Sequence, residues 1–282
     1  MAPKVLLFDI GGVCVVSPFQ AILDYEIANG IPPGYINATI QARSPHGAWQ
    51  QLERGELILD DAFFNTFGAE LNDMTHWRNY CRKAAAVPKS QTTMQGLLVE
   101  YGADSQGVLR KPIIDSKTMF WNMMRMSRQP DPWMFPALVK LKNSGRFVIA
   151  ALSNTIAFPK GVMDETGAVF ESGLKNAAGE AVGQIRDSFD TFVSSAHVGL
   201  RKPQREIYDL AIEESNKIAA QKGLGKVEAK DVLFLDDIGT NLKAAKAMGM
   251  GTIKVTLGKS KDAVRELEKA VGMSLIDESS RL

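Results

Sequence analysis

Polar and charged side chains follow short apolar runs at several places in this 282-residue sequence. They are, in chain order, Asp9 after VLLF, Ser153 and Asn154 after FVIAAL, Lys202 within HVGLRKPQ, and Asp236 and Asp237 after VLFL. Ligands bind outside the carboxyl ends of the strands in an open parallel sheet. If the apolar runs are such strands, we expect these side chains to meet at one edge of the sheet.

This set of side chains suits the chemistry of phosphate esters. A carboxylate such as Asp9 can attack phosphorus and form a covalent aspartyl phosphate. A second carboxylate can bind Mg²⁺, which offsets the repulsion between the attacking anion and an anionic substrate. A hydroxyl, amide donors and a lysine can bind the phosphoryl oxygens. Gly11 and Gly12, directly after Asp9 and Ile10, allow a sharp turn that brings backbone groups close to metal and phosphate.

Each of these features also has a purely structural explanation. Asp9 after a strand could be a turn or cap residue, Ser-Asn is a common turn pair, and Lys-Pro before a helix is usually solvated. Asp236 and Asp237 could cap the helix that follows, although adjacent acids at a buried strand end repel each other and favour a cation. The joint occurrence of these features at successive strand ends favours a functional site.

The elements that must position these residues alternate between strands and helices. We predict strands at Val5–Phe8, Phe147–Leu152, Val232–Leu235 and Thr252–Val255, and a weaker strand around Phe192. The first and third are continuous apolar runs, as expected of parallel strands covered on both faces. Helical spacing begins at Pro203, a good first helical residue, and recurs in NLKAAKAMG and KDAVRELEKAVG, which end in glycine. This alternation predicts an α/β fold with a doubly wound parallel sheet.

The stretch between the first two strands has a different character. Residues 17–132 show helical periodicity and no convincing strand. We therefore predict a core domain of residues 1–16 and 133–282 and a helical domain of residues 17–132 inserted between them. KNAAGEAVGQ and AAQKGLGKVEAK are interpreted as surface loops or small excursions. The stripe MFWNMMRM could line an apolar pocket, but at helical spacing it is more typical of core packing.

The composition excludes several classes of protein. A net charge of +1 provides no basic excess for nucleic acid. Cys14 and Cys81 are too few for a disulfide scaffold and are expected to be reduced and buried. No apolar stretch approaches the roughly 20 residues of a membrane helix, and the N-terminus lacks the apolar region of a signal peptide. We expect a cytoplasmic protein that neither binds nucleic acid nor inserts into a membrane.

Four segments together resemble the motifs of a known superfamily. FDIGGV, ALSN, GLRKPQREIYDLA and VLFLDDIGTNLKAAKAMGM are similar to the four motifs of the haloacid dehalogenase (HAD) superfamily. Within it, the chain most resembles the phosphatase-like N-terminal domain of soluble epoxide hydrolases and its stand-alone relatives. The resemblance covers residues 1–16 and about 133–275, and the insertion more loosely through GAWQQLERGELILDDAF. It implies a Rossmann-like, HAD-type sheet with an inserted helical cap domain. Because no α/β-hydrolase domain follows before Leu282, we do not expect epoxide hydrolysis.

The resemblance also implies a role for each motif residue. As catalytic residues it implies Asp9 as the nucleophile, Lys202 as the stabiliser of phosphoryl charge, and Asp236 as the group that positions Lys202 or a water on the metal. As ligands of Mg²⁺ it implies Asp9, the carbonyl of Gly11, and Asp237. As groups that bind the phosphoryl moiety it implies Ser153, Asn154, Lys202, Gly11 and Gly12.

One position departs from the pattern of typical phosphatases of this family. They carry a second aspartate two residues after the nucleophile, where this sequence has Gly11, and that acid protonates the leaving group. Such catalysis commonly contributes about 10²–10⁴-fold. The insertion offers Tyr25, His46 and Glu53 as other acids, although each is more typical of a structural role. His197, near Lys202 in sequence, is expected to be a solvent-facing loop residue.

Three functions remain open at this stage. The first is a Mg²⁺-dependent phosphatase for a small organic phosphate monoester, using another acid or esters with good leaving groups. The second is a 2-haloacid dehalogenase-type hydrolase in which Asp9 attacks carbon, since that branch also lacks the second aspartate. The third is a catalytically impaired protein that binds metal and phosphate. We predict the first, because Asp236 and Asp237 keep a metal-binding character, with a small-molecule substrate and a monomer or homodimer.

Overall fold

The computed structural model describes residues 2–85 and 110–276. The strands are β1 (Val5–Phe8), β2 (Val148–Ser153), β3 (Leu174–Lys175), β4 (Ala181–Gly183), β5 (Thr191–Ser194), β6 (Val232–Asp236) and β7 (Gly251–Lys254). Five of them form one parallel sheet in the order β5-β2-β1-β6-β7. The central strand is β1, in which Leu7 lies opposite Ala150 on one side and Phe234 on the other. All five strands of this sheet were predicted from the sequence.

Helices precede and alternate with the later strands. Before β2 they are α1 (Pro18–Ala28), α2 (Tyr35–Ala42), α3 (Ala48–Glu53), α4 (Asp61–Leu71), α5 (Met74–Ala85), α6 (Ser116–Met126) and α7 (Met134–Ser144). After β5 they are α8 (Ser195–Val198), α9 (Arg205–Gln221), α10 (Gly239–Ala247) and α11 (Ser260–Val271). Gly272, just past α11, has the positive φ of 61° expected of a helix-ending glycine. The prediction that Pro203 is the first residue of a helix is wrong, because α9 begins at Arg205 after the N-cap Gln204.

Helices cover both faces of the sheet, so the α/β, doubly wound fold is confirmed. Successive side chains of β1 point to opposite faces. Leu6 and Phe8 pack in a hydrophobic cluster with residues of α7 and α11, whereas Leu7 packs in a second cluster with residues of α9 and α10. Burial on both faces explains why the strand sequences are continuously apolar rather than alternating. Cys14 and Cys81 are both buried and unpaired.

The helices α1 to α6, here called the helical insertion, have a hydrophobic cluster of their own. It contains most of the buried aromatic side chains of the described residues, including Trp77, Phe120 and Trp121. The MFWNMMRM stripe lies on α6, largely buried in this cluster. The predicted domain boundaries at 16/17 and 132/133 stay a prediction, and residues 86–109 of that range lie outside the described residues. In residues 2–85 and 110–276, no helix has the length and apolar character needed to cross a bilayer.

The segment between β2 and β5 is more structured than predicted. KNAAGEAVGQ, interpreted as a surface loop or a small excursion, forms most of the antiparallel hairpin of β3 and β4, which begins one residue earlier, at Leu174. Upstream of it, Phe158 and Phe170 pack against Trp121 of the helical insertion. Arg125 of α6 forms ion pairs with Asp164 and Glu165 of the same segment. This segment therefore joins the sheet to the helical insertion above the strand ends.

Candidate active site

The carboxyl ends of β1, β2 and β6 meet at one edge of the sheet. Asp9 follows β1, Ser153 is the last residue of β2, and Asp236 is the last residue of β6. One carboxylate oxygen from each of Asp9, Asp236 and Asp237 lies within 4.8 Å of the others. Parallel pairing in register places the strand ends at the same level, so residues more than 220 positions apart in sequence become neighbours.

Lys202 provides the positive charge of this cluster. Its side chain is wholly buried, and Nζ lies 2.8 Å from Asp9 Oδ2 and 2.7 Å from Asp236 Oδ2. Burial alone would lower the pKa of Lys202, but the carboxylates of Asp236 and Asp9 outweigh it and raise that pKa. The lysine therefore stays an ammonium group.

Asn154 holds the backbone of Lys202 rather than leaving both its polar atoms free for a ligand. Lys202 N donates to Asn154 Oδ1 at 2.8 Å, and Asn154 Nδ2 donates to Lys202 O at 3.2 Å. These two bonds fix the loop from which the Lys202 side chain reaches Asp9. A contact between Asn154 and the phosphoryl group stays a prediction. Asn154 Nδ2 has a second hydrogen, besides the one donated to Lys202 O, that is available for such a contact.

The carboxylate of Asp236 is held by hydrogen bonds from Asn241, a residue that was not predicted from the sequence. Asn241 Nδ2 lies 3.1 Å from each carboxylate oxygen of Asp236, and Ile238 N donates to Oδ1 at 2.7 Å. With Lys202 on Oδ2, the carboxylate of Asp236 is fully engaged, which fits the predicted positioning role. Asn241 could have been picked out from the sequence, because it is a polar residue in the first turn of the helix that follows the two acids.

Asp237 and Asp9 belong to a cluster in which the negative charge of three carboxylates exceeds the single positive charge of Lys202. Asp237 Oδ1 is buried and has no hydrogen-bond partner among the described residues. Burial, Asp9 and Asp236 raise the pKa of Asp237 to about 8. Burial raises the pKa of Asp9 to about 6, despite the opposing effect of Lys202. Three carboxylates beside one ammonium, with an unpartnered oxygen, fit a divalent cation that prefers oxygen ligands, such as Mg²⁺.

Gly12 makes room for Asp237. A Cβ added to Gly12 would lie 2.4 Å from Asp237 Oδ2, and the φ of Gly12 is +77°, in the left-handed region that favours glycine. Gly11 differs, because its φ lies outside that region and a Cβ there would meet only Pro18, at 3.2 Å. The expectation that both glycines serve the turn therefore applies to Gly12 alone.

We expect Gly12→Ala to weaken the proposed cation site by displacing the Asp237 carboxylate. Wild-type protein should gain thermal stability when MgCl₂ is added, because a ligand that binds only the folded state raises the melting temperature. The variant should lose most of that gain, as measured by differential scanning fluorimetry with MgCl₂ or chelator. Gly145→Ala is the matched control, since Gly145 also has a positive φ (65°) and no neighbour within 4 Å. An unchanged Mg²⁺ response in Gly12→Ala would contradict the assignment of Asp237.

A cavity of about 260 Å³ lies between the strand ends and the helical insertion. Among the predicted site residues it is lined by Asp9, Gly11, Ser153, Asn154, Lys202 and Asp237. Asp236 and Gly12 do not line it. The cavity is therefore closed on one side by the residues predicted to do chemistry and on the other by the helical insertion.

The three candidate acids of the insertion lie in different places. Only Glu53 lines the cavity, and its Oε2 accepts hydrogen bonds from Arg201 Nε at 2.9 Å and Nη2 at 2.6 Å. Burial raises the pKa of Glu53 even against Arg201. The Tyr25 hydroxyl accepts a bond from Asp115 N at 2.9 Å, away from this cavity, and His46 is exposed.

His197 is exposed, as expected, but the expectation of a loop is wrong. It lies on the short helix α8, and its Nδ1 is 2.9 Å from Ser194 Oγ.

Comparison with known proteins gives full-length similarity to two larger proteins. No protein-family model matches the chain. It is 25% identical to bifunctional epoxide hydrolase 2 of Rattus norvegicus over 273 residues, which are 96% of this chain and 39% of that protein. It is also 25% identical to acyl-CoA dehydrogenase family member 10 of Mus musculus over 273 residues, 96% of this chain and 19% of that protein. The chain thus spans well under half the length of these relatives.

Among solved structures, the fold is shared with a dehalogenase crystallised with an intermediate complex. The TM-score is 0.50 at 14% identity, covering 97% of this chain and 99% of that one. The five-stranded parallel sheet with helices on both faces is a Rossmann-like, HAD-type fold. The resemblance to the haloacid dehalogenase superfamily that was predicted from the four motifs is confirmed by the fold shared with this structure and by the similarity to bifunctional epoxide hydrolase 2.

Proposed function

We propose that this protein is a Mg²⁺-dependent phosphatase that hydrolyses small organic phosphate monoesters through an aspartyl phosphate on Asp9. The observation that carries the proposal is the meeting of Asp9, Asp236 and Asp237 around the buried Lys202, with Asp237 Oδ1 left without a partner. Such a site has a nucleophile, a fixed positive charge and an unfilled demand for a cation. Phosphoryl transfer needs these three components.

Asp9 is held ready for attack by one hydrogen bond on each oxygen. Ile10 N donates to Oδ1 at 2.7 Å, and Lys202 Nζ donates to Oδ2 at 2.8 Å. In the first step, an Asp9 oxygen forms a bond to phosphorus, and the bond from phosphorus to the ester oxygen breaks, that oxygen leaving with the electron pair. A Mg²⁺ ion held by Asp9, Asp237 and the Gly11 carbonyl would neutralise phosphoryl charge when bound.

Lys202 and Ser153 are placed to bind the phosphoryl oxygens during transfer, because both line the cavity beside Asp9. Asn154 and Asp236 act one step further away, by fixing the backbone and the ammonium group of Lys202. In the second step, water attacks phosphorus, the bond between phosphorus and Asp9 breaks, and the proton of the water passes to a phosphoryl oxygen. The products are inorganic phosphate and the free Asp9 carboxylate.

Dehalogenation is the second candidate, and it is favoured by one observation. Gly11 places no carboxyl group beside Asp9, and attack of a carboxylate on carbon to displace halide does not require a proton donor for the halide. The site nevertheless contains Asp237 with a buried, unpartnered oxygen, which displacement of a halide from carbon does not use. The cluster of three carboxylates therefore favours the phosphatase.

A single panel of assays separates the candidates. The phosphatase predicts phosphate release from p-nitrophenyl phosphate that requires MgCl₂ and stops with chelator. The dehalogenase predicts chloride release from 2-chloropropionate that is unaffected by chelator. A protein that only binds would show Mg²⁺- and phosphate-dependent thermal stabilisation without either product. Absence of Mg²⁺-stimulated phosphate release from every phosphate ester tested would refute the proposed function.

A further inference from the structure

The wall of the cavity above Asp9 is apolar and partly aromatic. Phe19, Trp49 and Met123 contribute from the helical insertion, and Phe158 and Phe170 from the segment between β2 and β5. Side chains of this kind bury the apolar and planar part of a small ligand, and the few polar groups of a pocket set its orientation. The groups suited to bind a cation and phosphate lie at the strand ends, so the phosphoryl group faces the sheet and the remainder of the substrate faces this wall. Polar side chains are interspersed in the wall, such as Asn37, Gln41 and Arg128.

The aromatic part of the wall is held in place before any ligand binds. The ring centroids of Phe158 and Phe170 are 4.9 Å apart, and that of Trp121 is 5.0 Å from Phe170. Arg125 fixes the same segment through its ion pair with Asp164 at 3.2 Å. Rings that are already ordered lose little conformational entropy when they contact a ligand, which favours a planar binding partner.

The cavity contains very few groups that could protonate a departing oxygen. In the part of the chain that the structure describes, its only carboxyl groups are Asp9, Asp237 and Glu53, and no histidine, cysteine or tyrosine lines it. Asp9 is the proposed nucleophile, and Asp237 belongs to the cation site. Glu53 is the one remaining carboxyl group; burial raises its pKa, but its Oε2 is already engaged by two hydrogen bonds from Arg201, which hold it at the side of the cavity.

Lys202 is a donor, but it lies on the attacking side of the phosphorus. Its Nζ is 2.8 Å from Asp9 Oδ2, so the ammonium group lies on the same side of the phosphorus as the attacking oxygen. In phosphoryl transfer the attacking and leaving oxygens are roughly in line on opposite sides of phosphorus. The ammonium group is therefore placed to bind phosphoryl oxygens and not to protonate the leaving oxygen.

We propose that the substrates are phosphate monoesters of phenol-type hydroxyl groups on apolar, planar molecules, whose leaving oxygen departs as an aryloxide without a proton from the protein. This inference rests on the proposed phosphatase function. A phenol has a pKa of about 10, as in tyrosine, and is far more acidic than an aliphatic alcohol. An aliphatic ester would forgo the general-acid contribution of about 10²–10⁴-fold, whereas an aryl ester depends on it much less.

The first test compares leaving groups. We expect kcat/KM for phenyl phosphate to exceed that for cyclohexyl phosphate, a ring of similar size, by about 10²-fold or more. Within a series of substituted phenyl phosphates, kcat/KM should rise steeply with the acidity of the phenol. A flat series, or cyclohexyl phosphate turned over within about tenfold of phenyl phosphate, would overturn the inference while leaving the phosphatase intact. No turnover of any ester, p-nitrophenyl phosphate included, would instead refute the proposed function.

The second test asks whether Glu53 is a hidden proton donor. If Glu53 only holds Arg201, Glu53→Gln should change kcat/KM for phenyl and cyclohexyl phosphate by the same factor. A loss confined to cyclohexyl phosphate would identify Glu53 as the general acid and overturn the inference.

The third test addresses the aromatic wall. Phe158→Leu should raise KM for naphthyl phosphate severalfold, while Phe192→Leu should not. Phe192 is a matched control, because it is also half-buried and in ring contact, with Phe189 at 5.7 Å, but does not line the cavity. Equal KM values for the two variants would overturn the assignment of this wall to a planar substrate.

Discussion

Asp9→Asn should abolish phosphate release, lowering kcat by about 10⁴-fold or more, in the range seen when a catalytic nucleophile is removed. The amide is close in shape to the carboxylate but is a far weaker nucleophile for phosphorus. The substitution also removes the negative charge that lies 2.8 Å from Lys202 Nζ. The measurement is phosphate release at saturating p-nitrophenyl phosphate with MgCl₂, together with acid-quenched mass spectrometry. Wild-type protein should show a phosphorylated peptide that contains Asp9, and the variant should not.

Asp187→Asn is the matched control for this substitution. Asp187 is exposed in the short 3₁₀ turn Ile185–Ser188, which precedes β5 and so lies toward the amino end of that strand rather than its carboxyl end, and should tolerate the same change without effect on kcat. Activity of Asp9→Asn within tenfold of wild type would contradict the assignment of Asp9 as nucleophile. Phosphorylation of a different residue in the trapping experiment would contradict it as directly.

Lys202→Met should lower both stability and activity. Methionine approximates the apolar stem of the lysine, but it leaves Asp9 and Asp236 buried without the ammonium group between them. Breaking a buried ion pair by removing one partner typically costs about 3–5 kcal/mol. Loss of a fixed charge that stabilises the transition state commonly lowers kcat by about 10²–10³-fold. Urea unfolding, in the presence of chelator, measures the first effect, and phosphate release measures the second.

Lys217→Met is the control for the loss of a lysine. Lys217 lies on the exposed face of α9, where its side chain is 56% exposed and pairs with Glu213 and Glu214. Exposed ion pairs contribute little, so this variant should unfold within about 1 kcal/mol of wild type. If Lys202→Met were as stable as Lys217→Met, the buried lysine would not be holding the two carboxylates together.

The sequence predicted the sheet because its signal is local. A strand such as β1 is buried on both faces, and this burial requires a continuous apolar run that can be read from four residues. The polar residues at the strand ends interrupt these runs, so Asp9, Ser153 and Asp236 could be picked out directly. The hairpin of β3 and β4 was missed because its strands have only two and three residues, and β4 is exposed. Such strands leave no periodic pattern.

The contacts that hold the site residues in place join positions far apart in the sequence, so no local sequence pattern reveals them. Asn154 meets the backbone of Lys202 across 48 positions, and Glu53 meets Arg201 across 148. These distances in sequence are bridged only when the sheet and the helical insertion have packed together. For the same reason the sequence named Tyr25, His46 and Glu53 as equivalent acids, whereas the structure places only Glu53 in the cavity.

The central position of β1 has a consequence for how the protein is made. β1 is synthesised well before its two neighbours in the sheet, which begin at Val148 and Val232. At a rate of roughly 5–20 residues per second, the ribosome needs about 11–45 s between β1 and the start of β6. During this time the apolar segment before Asp9 has no complete set of partners, while α1 to α6 can already pack on each other. The nucleophile thus leaves the ribosome more than 190 residues before Lys202 and more than 220 before Asp236, so its active site cannot form until long after Asp9 itself has been made.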